Sequence, residues 1–330
     1  MLAKLPNQMG TFWFRILVAL VFLAVAFIAV LPTIADYQSV VAALRPISTL
    51  SMVLLVVVGG LNITTPSFVH RSIRPTLRPF EAVSTDWAST AVTNSLPAGG
   101  AVALGVSWSM YRSFGLSKSG ISQIFLVSGA GDNAVKFAMP AFALAWLAVD
   151  QPIDGTLLSG AVLGVLLLVV SLVLGSAVVI VPSSQVISAG LRRLPRHGQT
   201  WAANFDTVTS ECRALLASRW RPICAFVLVD QAVTAGLFVV ALRAVSVDAS
   251  TTSLAALIVA YSFGRLASAL PLTPGGAGIV ELGLIGALLQ VSTSPTSALV
   301  AGVLVFRALS YLLPTVLGFA AWMLWRIRRD

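Results

Sequence analysis

Seven apolar segments of bilayer length constrain the fold of this chain more than any other feature. A helix needs about 20 apolar residues to cross the hydrocarbon core of a membrane. Only 10% of the 330 residues are charged and 57% are hydrophobic, which is far from the composition of a soluble domain. We therefore predict an all-α integral membrane protein, a multi-pass helical bundle with spans near residues 12–35, 47–67, 121–149, 156–182, 222–245, 252–270 and 297–325.

The connections between these segments leave no room for a soluble domain of useful size. We expect one membrane domain over residues 1–330, with a first half, a polar linker and a second half at about 1–182, 183–221 and 222–330. Apolar residues recur at helical spacing across residues 201–218, which predicts an interfacial helix in the linker. That helix would either tie the two halves together or gate a lateral opening.

Clusters of arginine predict the orientation, because basic loops remain on the cytoplasmic side of a membrane. The opposite ends of the apolar segments carry mainly acids, such as Asp150 and Asp248. We expect a cell-membrane protein with both termini in the cytoplasm, and the net charge of +9 suits the anionic inner leaflet better than nucleic acid. Four clusters carry this prediction: Arg71, Arg74 and Arg78; Arg192, Arg193 and Arg196; Arg213, Arg219 and Arg221; Arg326, Arg328 and Arg329.

A helix-breaking segment interrupts the apolar run between residues 252 and 291. It contains Pro271, Pro274 and three glycines, and it ends at Glu281. Proline removes a backbone donor and glycine tolerates irregular dihedral angles, so freed polar groups must face protein or a wet cavity. A carboxylate just beyond a broken membrane helix is typical of transporter sites. The segment is therefore a candidate binding site.

A second helix-breaking segment lies at residues 94–100. The predicted orientation requires no membrane crossing by this part of the chain. The helix at 121–149 suffices to carry the chain from the basic loop at 71–78 to the outside. We therefore predict that residues 84–117 enter and leave on the same side as a re-entrant hairpin. A full span at 84–110 is the alternative, and it would place the basic linker outside.

The two breaks share a Leu-Pro pair that precedes a Gly-Gly pair. They are approached from opposite faces of the membrane if residues 252–291 also turn back. Inverted repeats whose broken elements meet near the midplane are a known transporter architecture. We therefore predict inverted repeats with two broken or re-entrant helical hairpins, and chance similarity is the alternative.

Several ionisable residues fall inside the predicted spans, where an unpaired charge costs roughly 3 kcal/mol. Asp132 and Lys136 are one helical turn apart and can pair, either to neutralise each other or to contact a substrate. Arg265, Glu281 and Arg307 flank the second break and can converge on one cavity, where guanidinium groups suit a phosphate. The predicted binding site comprises Arg265, Pro274, Gly275, Gly276, Glu281, Arg307, Asn94, Pro97, Gly99, Gly100, Asp132 and Lys136.

The sequence gives no sign of catalysis, of a metal or of a cofactor. The only histidines, His70 and His197, lie singly in basic loops without the spacing of metal ligands. Cys212 and Cys224 are expected on the reducing side, and a phosphate-binding Gly-Lys-Ser/Thr loop is missing. We therefore expect no enzyme activity, no metal, no cofactor and no use of ATP.

The residues of the two breaks and the charges in the predicted spans carry a resemblance to a known family. Over nearly its whole length the chain resembles the family of the lysylphosphatidylglycerol synthase transmembrane region. The resemblance implies a lipid flippase for a charged phospholipid or an isoprenoid-linked lipid. Because the chain ends at Asp330, we do not expect lipid synthesis by a fused aminoacyl-transferase domain. The features that carry the resemblance are Arg265, the segments 270–281 and 94–112, Asp132, Arg307, Tyr311 and Pro314.

An alternative reading is a non-transporting membrane partner of a glycosyltransferase or of a cell-envelope assembly complex. Its sign would be an exposed, charge-free membrane face, which one sequence does not reveal. The sequence also leaves open a homo-oligomer or a partner in envelope synthesis.

Overall fold

The computed structural model describes residues 36–96, 99–150, 166, 183–192, 198–268 and 273–328. Helices are the only regular secondary structure among these residues, which confirms the predicted all-α membrane fold. Within them, four stretches are long and apolar enough to cross a membrane: Thr49–Ile73, Gly198–Ala244, Pro274–Val291 and Thr296–Ile327. The spans predicted at 12–35 and, apart from Leu166, at 156–182 lie outside the described residues.

The helices begin where the sequence supplies caps. Asp36, Ser48 and Ser253 each accept a hydrogen bond from a backbone N–H three residues further on, and these three residues cap α1, α2 and α9. In chain order the helices are α1 Tyr37–Leu44, α2 Thr49–Asn62, α3 Thr65–Ile73, α4 Pro79–Ser95, α5 Gly99–Ser113, α6 Lys118–Asp150, α7 Ser183–Arg192, α8 Gly198–Ala244, α9 Leu254–Ala267, α10 Ile279–Val291, α11 Thr296–Arg307 and α12 Leu313–Ile327.

Helix α8 joins two elements that the sequence predicted separately, the interfacial helix at 201–218 and the span at 222–245. It kinks at Arg219, where φ is −132° and ψ is 15°. Pro222 has no N–H and its ring clashes with the carbonyl four residues earlier, so a kink near this position is expected. The interfacial location of the part before the kink stays a prediction.

The helices pack into two units, and each unit draws on both halves of the chain. The predicted division at about 1–182, 183–221 and 222–330 stays a prediction. The first unit takes the described parts of Met1–Thr64, Val83–Met110 and Val233–Asp330, and the second takes those of Thr65–Ala82 and Tyr111–Ala232.

Three buried aromatic rings pack against one another in the first unit. The ring of Phe238 in α8 lies 5.7 Å from that of Tyr261 in α9 and 5.3 Å from that of Phe306 in α11, between centroids. All three side chains are buried. They fix α9 and α11, which carry the predicted site residues Arg265 and Arg307.

The second unit combines an apolar core with buried polar contacts. Ile73, Ile121 and Ile124 are fully buried, and the hydroxyl of the buried Tyr111 lies 2.9 Å from Nδ1 of His70. The Tyr111–His70 contact joins α5 to α3, and α3 also packs on α6, which carries Asp132 and Lys136.

Candidate functional site

Helices α9 and α10 form an antiparallel hairpin whose tip holds the second break. At its open end the Thr293 amide donates to the Thr251 carbonyl (3.2 Å), and near its tip Gly264 packs so closely on Leu284 that a methyl group would collide. The helices have 14 and 13 residues, which correspond to about 21 Å and about 20 Å. The contacts at both ends of the pair show that the chain reverses direction within residues 252–291. Each helix alone is shorter than the hydrocarbon core of about 30 Å, although Pro274–Val291, which includes the turn before α10, is long enough to cross it.

Three glycines give the hairpin tip a backbone that other residues rarely adopt. The angle φ is +54° at Gly275, +73° at Gly276 and +83° at Gly278, in the left-handed region. Pro274 opens the short 3₁₀ turn that contains the first two of these glycines. The predicted helix break is therefore present, and Glu281 lies in the first turn of α10 directly after it.

Glu281 ties the break to the next helix through both oxygens of its carboxylate. Its Oε2 accepts a hydrogen bond from the Gly278 amide (2.7 Å), and its Oε1 accepts one from Nε of Arg307 (2.6 Å). The side chains of Glu281 and Arg307 are only 10% and 11% exposed. A helix N-terminus favours a carboxylate, and a buried charge needs a partner. Two of the three charges that were expected to converge beside the second break, Glu281 and Arg307, are therefore in direct contact.

The guanidinium of Arg307 retains donors beyond this ion pair. Its Nη2 lies 3.4 Å from the Gly275 carbonyl, and its Cζ lies 4.4 Å from the centre of the Tyr311 ring. A guanidinium has five N–H donors, and the hydrogen bonds of Arg307 to described residues use two of them. Stacking on the ring holds the plane of the group. Arg307 can therefore donate to further oxygens, such as those of a phosphate.

A π-helical turn at Ala308–Leu312 positions Tyr311 beside Arg307. Pro314 has no N–H for the carbonyl of Ser310, so the regular helical ladder cannot continue through this stretch. Such wide turns are frequent at functional sites. The turn thus separates α11 from α12 at the point where the two helices face the hairpin tip.

The two helix breaks meet at Tyr311. Its hydroxyl donates to the Asn94 carbonyl (2.7 Å) and lies 3.3 Å from the Pro274 carbonyl. Nδ2 of Asn94 donates in turn to Oγ1 of Thr315 (2.9 Å). A Cβ atom on Gly275 would lie 2.5 Å from Oδ1 of Asn94 and 2.5 Å from the Tyr311 ring. The first unit therefore brings the end of α4 into direct contact with the tip of the α9–α10 hairpin.

Most predicted site residues of the first unit lie at or beside this contact. Arg265 lies partly buried in the last turn of α9, and Pro97 lies outside the described residues. Substrate binding by any of these residues stays a prediction. Asn94, Pro274, Gly275, Glu281 and Arg307 take part in the contact, Gly276 lies in the same turn, and Gly99 and Gly100 open α5 after the first break.

Asp132 and Lys136 belong to the second unit. Nζ of Lys136 lies 2.7 Å from Oδ2 of Asp132, which confirms the predicted ion pair along α6. Nε2 of Gln231 donates to Asp132 (3.0 Å) and lies 3.4 Å from Asp230, which accepts a hydrogen bond from Thr65 (2.6 Å). The pair is thus part of a polar network that joins α3, α6 and α8. Substrate contact by Asp132 and Lys136 stays a prediction.

Tyr311 and Thr315 are the residues of the site that sequence reasoning did not assign to it. Both follow Arg307 at intervals of four residues, a spacing that places side chains on one helix face. This spacing is the sequence signal that could have identified both residues. In the part of the chain that the structure describes, His, Cys, Asp and Glu form no group of three or more that could hold a metal ion.

Comparison with known proteins identifies the family. A search of curated protein sequences gives no significant match. The family model of the lysylphosphatidylglycerol synthase TM region matches residues 13–318, which is most of the chain and includes both helix breaks. The resemblance drawn from the sequence is thereby confirmed. The chain belongs to the family of the lysylphosphatidylglycerol synthase transmembrane region.

Proposed function

We propose that this chain moves a phosphate-bearing lipid, either a phospholipid or an isoprenoid-linked lipid, across the cell membrane as a flippase-like transporter. The observation that carries the proposal is the meeting of two helix breaks beside Arg307, whose guanidinium retains donors. Hydrocarbon cannot satisfy the polar groups of broken helices, so such a place suits the passage of a polar headgroup. The family points to the same class of ligand. The proposal involves no enzymatic step and no cofactor.

The proposed arrangement in the membrane has two re-entrant hairpins related as inverted repeats. The α9–α10 hairpin supports it, because its chain reverses direction at the break and α9, at about 21 Å, is shorter than the hydrocarbon core. In the first hairpin α4 and α5 have 17 and 15 residues, about 26 Å and about 23 Å. By contrast, α6, which contains the span predicted at 121–149, has 33 residues and measures about 50 Å, so it is long enough for one crossing although it is less apolar than the four stretches named above. Both chain termini are then cytoplasmic.

The direct test is transport by the purified protein in liposomes. Fluorescent anionic, zwitterionic and isoprenoid-linked lipids would be incorporated in separate preparations, and dithionite would quench the label on the outer leaflet. We expect faster transbilayer movement than in protein-free liposomes for at least one class of phosphate-bearing lipid. If no lipid moves, the flippase proposal is wrong and a non-transporting role in an envelope complex becomes the better explanation.

Variants link that activity to the site. Glu281→Gln keeps the size of the side chain and an oxygen that can accept from Arg307 but removes the charge, so we expect impaired transport in a protein that still folds, with a smaller loss of stability than in Glu281→Ala. The matched control is Arg192→Gln, which removes an exposed arginine paired with Asp206 in the second unit and should leave transport unchanged. An unchanged rate in Glu281→Gln would remove this carboxylate from the mechanism.

Cysteine labelling tests the first re-entrant hairpin. Cys212 and Cys224 would be replaced by serine, and single cysteines would be placed at Ser117 and at Asp150. These positions flank or end α6, so we expect an impermeant reagent to label them from opposite sides, with Ser117 on the cytoplasmic side. Labelling of position 117 from outside would show that residues 84–110 cross the membrane.

A further inference from the structure

The contact between the two breaks is tight enough to block passage between them. Gly275 lies against Asn94 and Tyr311 with no room for even a methyl group. A phosphate-sized group is larger than a methyl group, so it cannot pass between the breaks while this contact persists. If a headgroup moves through the site, the end of α4 and the tip of the α9–α10 hairpin must first separate.

Tyr311 is the side chain that holds both sides of this contact. Its hydroxyl reaches the Asn94 carbonyl of the first break and the Pro274 carbonyl of the second. A tyrosine hydroxyl has one proton and can donate fully to one acceptor at a time. Separation of the breaks ends this hydrogen bond together with the two that Nδ2 of Asn94 donates, to Oγ1 of Thr315 (2.9 Å) and to the Tyr311 carbonyl (3.3 Å). The Asn94 carbonyl, in the last turn of α4, can then accept from a headgroup or water.

The ring of Tyr311 has a separate task from its hydroxyl. It stacks on the guanidinium of Arg307 and so fixes the orientation of the donors that face a ligand. Tyr311 lies in the π-helical turn that begins directly after Arg307, so the stacking does not depend on the first break. The hydroxyl can release Asn94 while Arg307 keeps its orientation.

We infer that Tyr311 is a latch and a positioning residue: its hydroxyl closes the two breaks on each other, and its ring orients Arg307. This inference rests on the proposed transport function, and it identifies the contact that opens and closes during transport. Opening the latch separates the end of α4 from Tyr311 and Thr315, and closing it restores the contact around Gly275.

Two substitutions of Tyr311 separate the two tasks. Tyr311→Phe keeps the ring and removes the hydroxyl, so we expect transport at saturating lipid to rise about fivefold, the equivalent of one net hydrogen bond, with little change in apparent lipid affinity. Tyr311→Leu removes both, so we expect at least a tenfold weaker apparent affinity. An unchanged or slower rate in Tyr311→Phe, or an affinity loss shared equally by both variants, would refute the latch.

A cross-link tests whether the contact has to open. In a variant with Cys212 and Cys224 replaced by serine, cysteines at Asn94 and Thr315 replace side chains that touch at 2.9 Å. Oxidation, or a short bifunctional thiol reagent, would join the end of α4 to α12. We expect transport to fall at least tenfold in the cross-linked protein and to return on cleavage by reductant.

The matched control is a cysteine pair at Thr251 and Ser294, whose hydroxyls lie 2.7 Å apart at the open end of the α9–α10 hairpin. This cross-link joins two ends of one hairpin and should leave transport unchanged. Full transport by the protein cross-linked between 94 and 315 would overturn the latch alone. Absence of transport in the unmodified protein, with both cross-links still forming, would instead overturn the proposed function.

Discussion

Two ion pairs within the described residues differ in what they hold together. Asp132 and Lys136 lie one turn apart on α6, and the side chain of Asp132 is 40% exposed. Glu281 and Arg307 lie on different helices, α10 and α11, and both side chains are nearly buried. The first pair can form in an isolated helix, whereas the second forms only when the helices pack. Only the second can report whether the site is assembled.

The two ion pairs also differ in the other groups that their members contact. Glu281 also caps α10 through the Gly278 amide, and Arg307 also contacts the Gly275 carbonyl and the Tyr311 ring. The loss of one member of this group therefore disturbs a helix start, a helix break and a stacked ring together. Asp132 has Gln231 as a further donor. Loss of the Asp132 carboxylate leaves helix α6 continuous.

The largest effect is expected from Glu281→Ala. The substitution removes the cap of α10 and leaves the guanidinium of Arg307 buried without its carboxylate, so we expect the free energy of unfolding in detergent to fall by about 3 kcal/mol. Thermal unfolding followed by circular dichroism measures it. The double variant Glu281→Ala with Arg307→Leu removes both charges and should recover part of the loss. Equal stability of the single and double variants would show that the charge is not the cause.

A smaller effect is expected from Gly275→Ala. A Cβ at this position would lie 2.5 Å from Asn94 and from Tyr311, and φ of +54° disfavours any side chain, so we expect a loss of roughly 2 kcal/mol and slower or abolished transport. The control is Gly100→Ala in the first break, where nothing lies within 4 Å of an added Cβ and φ is not positive. Equal losses in both variants would mean that the contact around Gly275 is unimportant.

The features that the sequence predicted correctly follow mainly from local sequence rules. The Asp132–Lys136 pair follows from a spacing of four on one helix, and the helix break after Ala267 follows from its prolines and glycines. The helices of the described spans follow from apolar segment length. The convergence of Glu281 and Arg307 was expected because charges in a membrane need partners, but no rule of geometry assigned these two residues to each other.

The sequence did not predict the long-range contacts of the site or the places where one helix continues into the next. Tyr311 meets the Asn94 carbonyl across 217 positions, and no periodicity or propensity links such residues. The interfacial helix and the following span were predicted as separate elements, because periodicity does not distinguish a kink at Arg219 from a break. Pro222 and Pro314 account for a disturbance of the helix near Arg219 and after Arg307, but a proline alone does not determine whether a helix kinks, widens or ends.

The smallest effect is expected from Asp132→Asn. The side chain keeps its shape and can still interact with Gln231, and the charge that it loses is partly exposed, so we expect less than about 1 kcal/mol of destabilisation. The same liposome assay distinguishes two roles for this residue. If Asp132 only neutralises Lys136, transport should stay close to the unmodified rate, in contrast to Glu281→Gln. A loss of transport as large as that of Glu281→Gln, at unchanged stability, would show that the local pair also acts on the substrate.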